Sequence, residues 1–75
     1  MYEYSVIFEC LHDKDIGHYV SYGIICTKTT TGEIVSFISD ISTKKDFVEL
    51  LANEFTNLQL SPVHFYDAVE DALSW

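Results

Sequence analysis

His64, Asp67 and Asp71 stand at i, i+3 and i+7 of a helical stretch, which places all three on one face. An imidazole and two carboxylates at that spacing suit a divalent cation. The same face lies opposite an apolar stripe, where charged side chains belong in any surface helix. The solvated-face reading is therefore preferred, with metal binding as the alternative. A second grouping, His12-Asp13-Lys14-Asp15-Ile16-Gly17-His18, puts four potential ligands in seven residues. Asp, Lys and Gly are also what a hairpin turn demands, and the segment is read as a turn. No serine occupies a G-x-S-x-G setting, and Gly17, Gly23 and Gly32 are too scattered to form a phosphate-binding loop. No nucleophile–base pair can be argued, so the sequence points away from an enzyme and implies no cofactor.

Composition narrows the partners. The 75 residues carry 12 acidic side chains against four lysines and no arginine, a net charge of −8. Such a chain repels phosphate backbones and anionic membrane surfaces, and it lacks the bidentate guanidinium clamp for phosphate or carboxylate. Neither nucleic acid nor membrane is an expected partner. Mimicry of nucleic acid is disfavoured too, because residues 1–42 and 43–75 each carry six acids and two lysines, with no concentration on one segment. Cys10 and Cys26 are too few for a disulfide framework and lack C-x-x-C spacing; both are read as core fillers. The segment Met1-Tyr2-Glu3-Tyr4 has no basic signal-peptide region, and no apolar run approaches 18 residues. A reduced, cytoplasmic protein is expected.

The elements that would carry these residues follow from periodicity. Hydrophobic residues make up 48% of the chain, enough for one globular domain over residues 1–75. Apolar residues alternate over 2–11, 18–30 and 33–41, which predicts three strands. Beyond Ile38-Ser39-Asp40-Ile41-Ser42 they recur every three or four residues, which predicts helices over 44–57 and 62–73. Thr43, with Asp46 three residues on, reads as the first N-cap; Ser61-Pro62 reads as the second helix start. The expected fold is α+β: a three-stranded antiparallel meander, order 1-2-3, followed by a two-helix hairpin packed on one face. Gly23, inside a strand, marks a bulge or close packing.

The turns set a register. Pairing His12 with His18 puts Cys10 opposite Val20 and Tyr4 opposite Cys26. Pairing Thr30 with Glu33 across a two-residue turn puts Cys26 opposite Phe37, Ile24 opposite Ser39 and Tyr22 opposite Ile41. The expected sheet core is then Tyr4, Val6, Phe8, Val20, Tyr22, Ile24, Phe37 and Ile41, meeting Leu51, Phe55, Val69 and Leu73. Lys44 and Lys45 at one helix start, and Glu70 and Asp71 at the other helix end, both oppose the helix dipole. An antiparallel hairpin would bring the two ends together.

The phrases Tyr22-Gly23-Ile24, Ile38-Ser39-Asp40-Ile41-Ser42, Leu60-Ser61-Pro62-Val63-His64 and Val69-Glu70-Asp71 together resemble a family of short, uncharacterised proteins from clostridia and related Gram-positive bacteria. The resemblance covers most of the chain. It implies a bacterial cytosolic origin and brings no catalytic residues with it.

The leading expectation for function is a non-catalytic interaction or regulatory module with a protein partner, acting as a homodimer. The alternative is a divalent-metal-binding protein using His64, Asp67 and Asp71. Two helices cover only one sheet face, which leaves Ile7, Leu11, Tyr19, Ile25, Ile34 and Ile38 on the other. Of these, Ile7, Tyr19, Ile25, Ile34 and Ile38 are the interface candidates. The outer strands, residues 2–11 and 33–41, also offer unpaired backbone groups with no proline to block them.

Overall fold

A computed structural model of the chain describes residues 1–74, and the expected Trp75 end of the domain lies outside the described residues. The order is β1 (Tyr2–Asp13), β2 (Gly17–Lys28), β3 (Ile34–Ser42), α1 (Lys45–Asn57), a 3-10 turn over Pro62–His64, and α2 (Phe65–Leu73). The strands form one antiparallel sheet in the order β1-β2-β3. This is the β-β-β-α-α arrangement that the change of period at residues 38–46 implies.

The first hairpin has the expected register. Asp13 Oδ1 accepts the backbone N–H groups of Asp15 and Ile16 at 2.8 and 3.4 Å, and Gly17 takes φ +80°, a conformation glycine adopts without penalty. This Asx turn sets Asp13 opposite Gly17, His12 opposite His18, Cys10 opposite Val20 and Tyr4 opposite Cys26.

The second hairpin corrects the expected register. Its loop is longer than two residues. Lys28 N–H donates to the Glu33 carbonyl at 2.9 Å, and Gly32 N–H donates to the Lys28 carbonyl at 2.8 Å. Thr27 then faces Ile34, an irregularity follows, and Cys26 faces Ser36, Ile25 faces Phe37 and Ile24 faces Ile38. The pairing differs by one residue from a Thr30–Glu33 turn, and a one-residue slip sends every side chain to the opposite face. Phe37 accordingly leaves the core and is 62% exposed, while Ile38 packs against the core beside Ile24.

A second irregularity lies between the Ile24–Ile38 and Tyr22–Ser42 pairs. Three residues of β3 stand opposite Gly23 alone. Asp40 takes φ +52° there, and Ile41 is buried in the core. The Ser21 hydroxyl, fully buried, donates to Asp40 Oδ1 at 2.6 Å and holds the bulge to β2. Gly23 thus marks the bulge its sequence position suggested.

The helices start differently from expectation. Thr43 does not cap α1; the N-cap position is Lys44, whose N–H donates to Ser42 Oγ at 3.1 Å. Pro62 opens a 3-10 turn, with the α-helix beginning at Phe65. Val48, Leu51, Ala52 and Phe55 from α1, with Phe65 and Val69 from α2, meet Tyr4, Ile24, Cys26 and Ile41 from the sheet. Val6 and Tyr22 sit at the margin of this core. Phe8, Val20, Phe37 and Leu73, expected inside, are exposed, as are Leu58 and Tyr66 on the helical side. The first two lie where the β1–β2 hairpin runs towards its tip, away from the core. Lys44 and Phe47 share a cleft with Ala72 and Leu73, so the start of α1 does lie beside the end of α2. The ion pair among the described residues is Lys45–Glu49 at 3.5 Å, within α1.

Tyr4 ties the layers together. Its ring packs edge-on against Phe55 and Phe65, with centroids 5.6 and 5.0 Å away. Its hydroxyl donates to the Leu60 carbonyl at 2.6 Å. Burial first, and the neighbouring Cys26 thiol second, push the phenol well above the ordinary tyrosine range. An unfolded Tyr4 would ionise near pH 10, while the folded one stays protonated. Above pH 10 the unfolded state therefore binds fewer protons, and stability falls as pH rises. Stability should be level up to about pH 9.5 and drop above it. Tyr4→Phe should lower neutral stability, because the Leu60 carbonyl loses its partner, and should flatten the alkaline drop. Urea melts between pH 7 and 11 check both.

Candidate functional site

The two edges of the sheet are treated differently. At β1, helix residues occupy the backbone. Thr56 Oγ1 accepts the Tyr4 N–H at 2.9 Å and faces the Tyr4 carbonyl at 3.2 Å and the Ala52 carbonyl at 2.9 Å. One rung along, Gln59 Oε1 accepts the Tyr2 N–H at 3.0 Å, and Gln59 Nε2 donates to the Tyr2 carbonyl at 3.0 Å. The two side chains stand in for a fourth strand over the first part of β1. Local structure makes this possible. Leu60 N–H closes back on the Phe55 carbonyl at 3.0 Å, and Gln59, in the residue position usually given to glycine, takes φ +49°. A left-handed non-glycine costs roughly 1–2 kcal/mol; the paired bonds to Tyr2 offset that strain.

At β3 no such cover exists among the described residues. Ile34 is 58% exposed, Val35 43% and Phe37 62%, three apolar side chains within four residues of an edge strand. Asp40 is the sole charged residue of β3, whereas β1 carries Glu3, Glu9 and Asp13. Charges on an edge discourage strand addition, and β3 lacks them along Ile34–Ser39. Ile25 stands opposite Phe37 and Thr27 opposite Ile34, so the apolar edge continues onto the uncovered face of the sheet.

The residues singled out from the sequence separate accordingly. Ile7, Tyr19 and Ile25 lie on the uncovered face and are half-buried, and Ile34 is exposed at its rim. Ile38 does not belong with them, since it packs on the helix side. Sequence reasoning missed Phe37 and Val35, which the corrected register exposes. The cover on β1 ends at Tyr4, whereas β3 has no side-chain cover on its outer edge among the described residues.

His64, Asp67 and Asp71 are exposed; His64 ends the 3-10 turn and the two carboxylates lie on α2. Among the described residues no three His, Cys, Asp or Glu side chains are grouped to hold a metal ion, and these three are not brought together as such a group. His12 and His18 do come together, with ring centroids 4.7 Å apart across the hairpin. Cys26 is buried, but Cys10 is exposed, so only one of the two thiols fills the core. The groove between β1 and α1 is lined by Glu3, Ser5, Glu49, Asn53 and Asn57 with apolar neighbours. It holds carboxylates and amides, and no imidazole, amine or thiol among its described lining. No helix of the described residues is long and apolar enough to cross a membrane.

No curated protein and no solved structure shows a significant match to the chain. A family model does match, over residues 1–74, and the chain belongs to that family, a family of unknown function designated DUF6514.

Proposed function

We propose that this protein is a non-catalytic interaction module of the bacterial cytoplasm that works as a symmetric homodimer, joined by antiparallel pairing of β3 with β3 of a second copy. The observation that carries the reading is the contrast between the edges. Thr56 and Gln59 satisfy the β1 backbone at Tyr2 and Tyr4, while β3 presents Ile34, Val35 and Phe37 on an edge without charge along that stretch. A two-fold axis through β3 would pair the strand with itself, which is the self-complementarity that closed dimers require. It would extend the sheet to six strands and bring the two uncovered faces side by side. That continuous apolar surface is where a regulatory protein partner would bind.

The charge of −8 per chain opposes association, so the apolar contact must outweigh it and added salt should tighten the dimer. Light scattering on the native chain from 1 to about 100 µM should give twice the chain mass at the upper end, a free energy of roughly −8 kcal/mol at micromolar affinity. Phe37→Glu should give one chain mass throughout, because two carboxylates would face each other across the axis. A native mass of one chain at every concentration and salt level would remove the proposal.

A further inference from the structure

We propose that His12 and His18, at the tip of the β1–β2 hairpin, chelate one divalent first-row transition-metal ion, such as zinc or nickel. The two residues face each other across the strands, and their rings lie with centroids 4.7 Å apart and planes at 58°. Imidazole nitrogens bound to one ion at about 2.0–2.1 Å place their ring centres roughly 4.5–5 Å apart when the N–metal–N angle is near 90–105°. The observed spacing meets that requirement without moving either strand.

The arrangement is held in advance. Asp13 Oδ1 pins the turn through Asp15 and Ile16, Gly17 closes it at φ +80°, and the pairing of Asp13 with Gly17 fixes the rung beside the two histidines. Both histidines are exposed, so an ion reaches them freely. Asp13 and Asp15 against Lys14 leave the turn negative, which favours a cation. Two imidazoles select borderline ions over magnesium or calcium, which prefer oxygen. No third protein ligand is grouped with them among the described residues, so water fills the remaining positions. The ion would brace the hairpin tip, at the far end of β1 and β2 from the Thr56–Gln59 clamp. The site is independent of β3 and of the dimer.

The test is calorimetric titration of the untagged full chain with zinc and with nickel at pH 7.5, for the native protein and for His12→Gln, His18→Gln and His64→Gln. The native chain should bind one ion with a dissociation constant of about 10 µM or tighter. His12→Gln and His18→Gln should each weaken binding about tenfold or more, with unchanged circular dichroism, and His64→Gln should leave it as it was. Zinc should shift the ring resonances of His12 and His18 and not those of His64. No saturable binding below about 100 µM, binding untouched by either hairpin variant, or loss confined to His64→Gln would each overturn the proposal and leave the ring pair as stacking alone.

Discussion

Phe65→Ala is expected to abolish folding at 37 °C. Phe65 is 1% exposed and is the largest of the fully buried side chains. Its ring stands edge-on to Tyr4 and to Phe55, with centroids 5.0 and 6.1 Å away. It is also the first residue of α2, so its packing anchors that helix to the sheet. Phenylalanine truncation in a core costs about 3–5 kcal/mol, and a domain this small holds roughly 3–5 kcal/mol in all. Leu51→Ala should follow, at about 2–5 kcal/mol. Phe37→Ala should behave otherwise. With its ring 62% exposed on β3, the substitution should lower the unfolding free energy of the dilute chain by no more than about 0.5 kcal/mol while weakening self-association. Chemical melts of the three variants at sub-micromolar concentration separate the cases. A Phe37→Ala chain as unstable as Leu51→Ala would mean that β3 pairs in the register of a two-residue turn after all.

The contrast between Phe37 and Phe65 shows where the sequence is readable. Helix burial followed from spacing: Val48, Leu51 and Phe55 recur at three and four residues, as do Phe65 and Val69, and all five are buried. The β1–β2 register followed from a short turn with an Asp and a glycine to fix it. The β2–β3 register did not, because Thr29-Thr30-Thr31-Gly32 is compatible with loops of two or four residues, and the difference decides which face Phe37 takes. The bulges compound this. Alternation alone makes no provision for three β3 residues opposite Gly23. The sealing of β1 was beyond reach for another reason. Thr56 and Gln59 act through side-chain bonds to backbone groups more than 50 residues away, and nothing in their own neighbourhood signals it. Of the five candidates on the open face, Ile7, Tyr19, Ile25 and Ile34 face outward as alternation requires, whereas Ile38 turns inward and Phe37 stands outward instead.

Gly23→Ala should detach β3 from the sheet while sparing the β1–β2 hairpin. A Cβ built on Gly23 would collide with the carbonyl oxygen of Ile38 and lie 2.9 Å from Ser39 Cα. Both are backbone atoms, so no side-chain rotation relieves the clash. The β3 backbone comes this close because the bulge at Ser39–Ile41 folds over β2 at that point, held by the Ser21–Asp40 bond. Overpacking typically costs about 1–3 kcal/mol, and more where the neighbour cannot yield. Relief requires β3 to move away from β2, which would open the Ser21–Asp40 bond and leave a buried hydroxyl without its partner, a further roughly 1–3 kcal/mol. Ile38 and Ile41 would leave the core with the strand. Gly32→Ala provides the comparison. A Cβ there meets nothing within 4 Å, although its φ of +72° is unfavourable for alanine, so the loss should stay near 1–2 kcal/mol. Amide exchange reads the difference directly. In Gly23→Ala, protection should vanish across Ile34–Ser42 and at the β2 amides that bond to β3, and persist at the amides that join β1 to β2. In Gly32→Ala, all three strands should stay protected. If Gly23→Ala keeps native protection in β3, then the strand does not approach β2 as closely as the bulge requires, and the edge offered to a second copy would have a different shape.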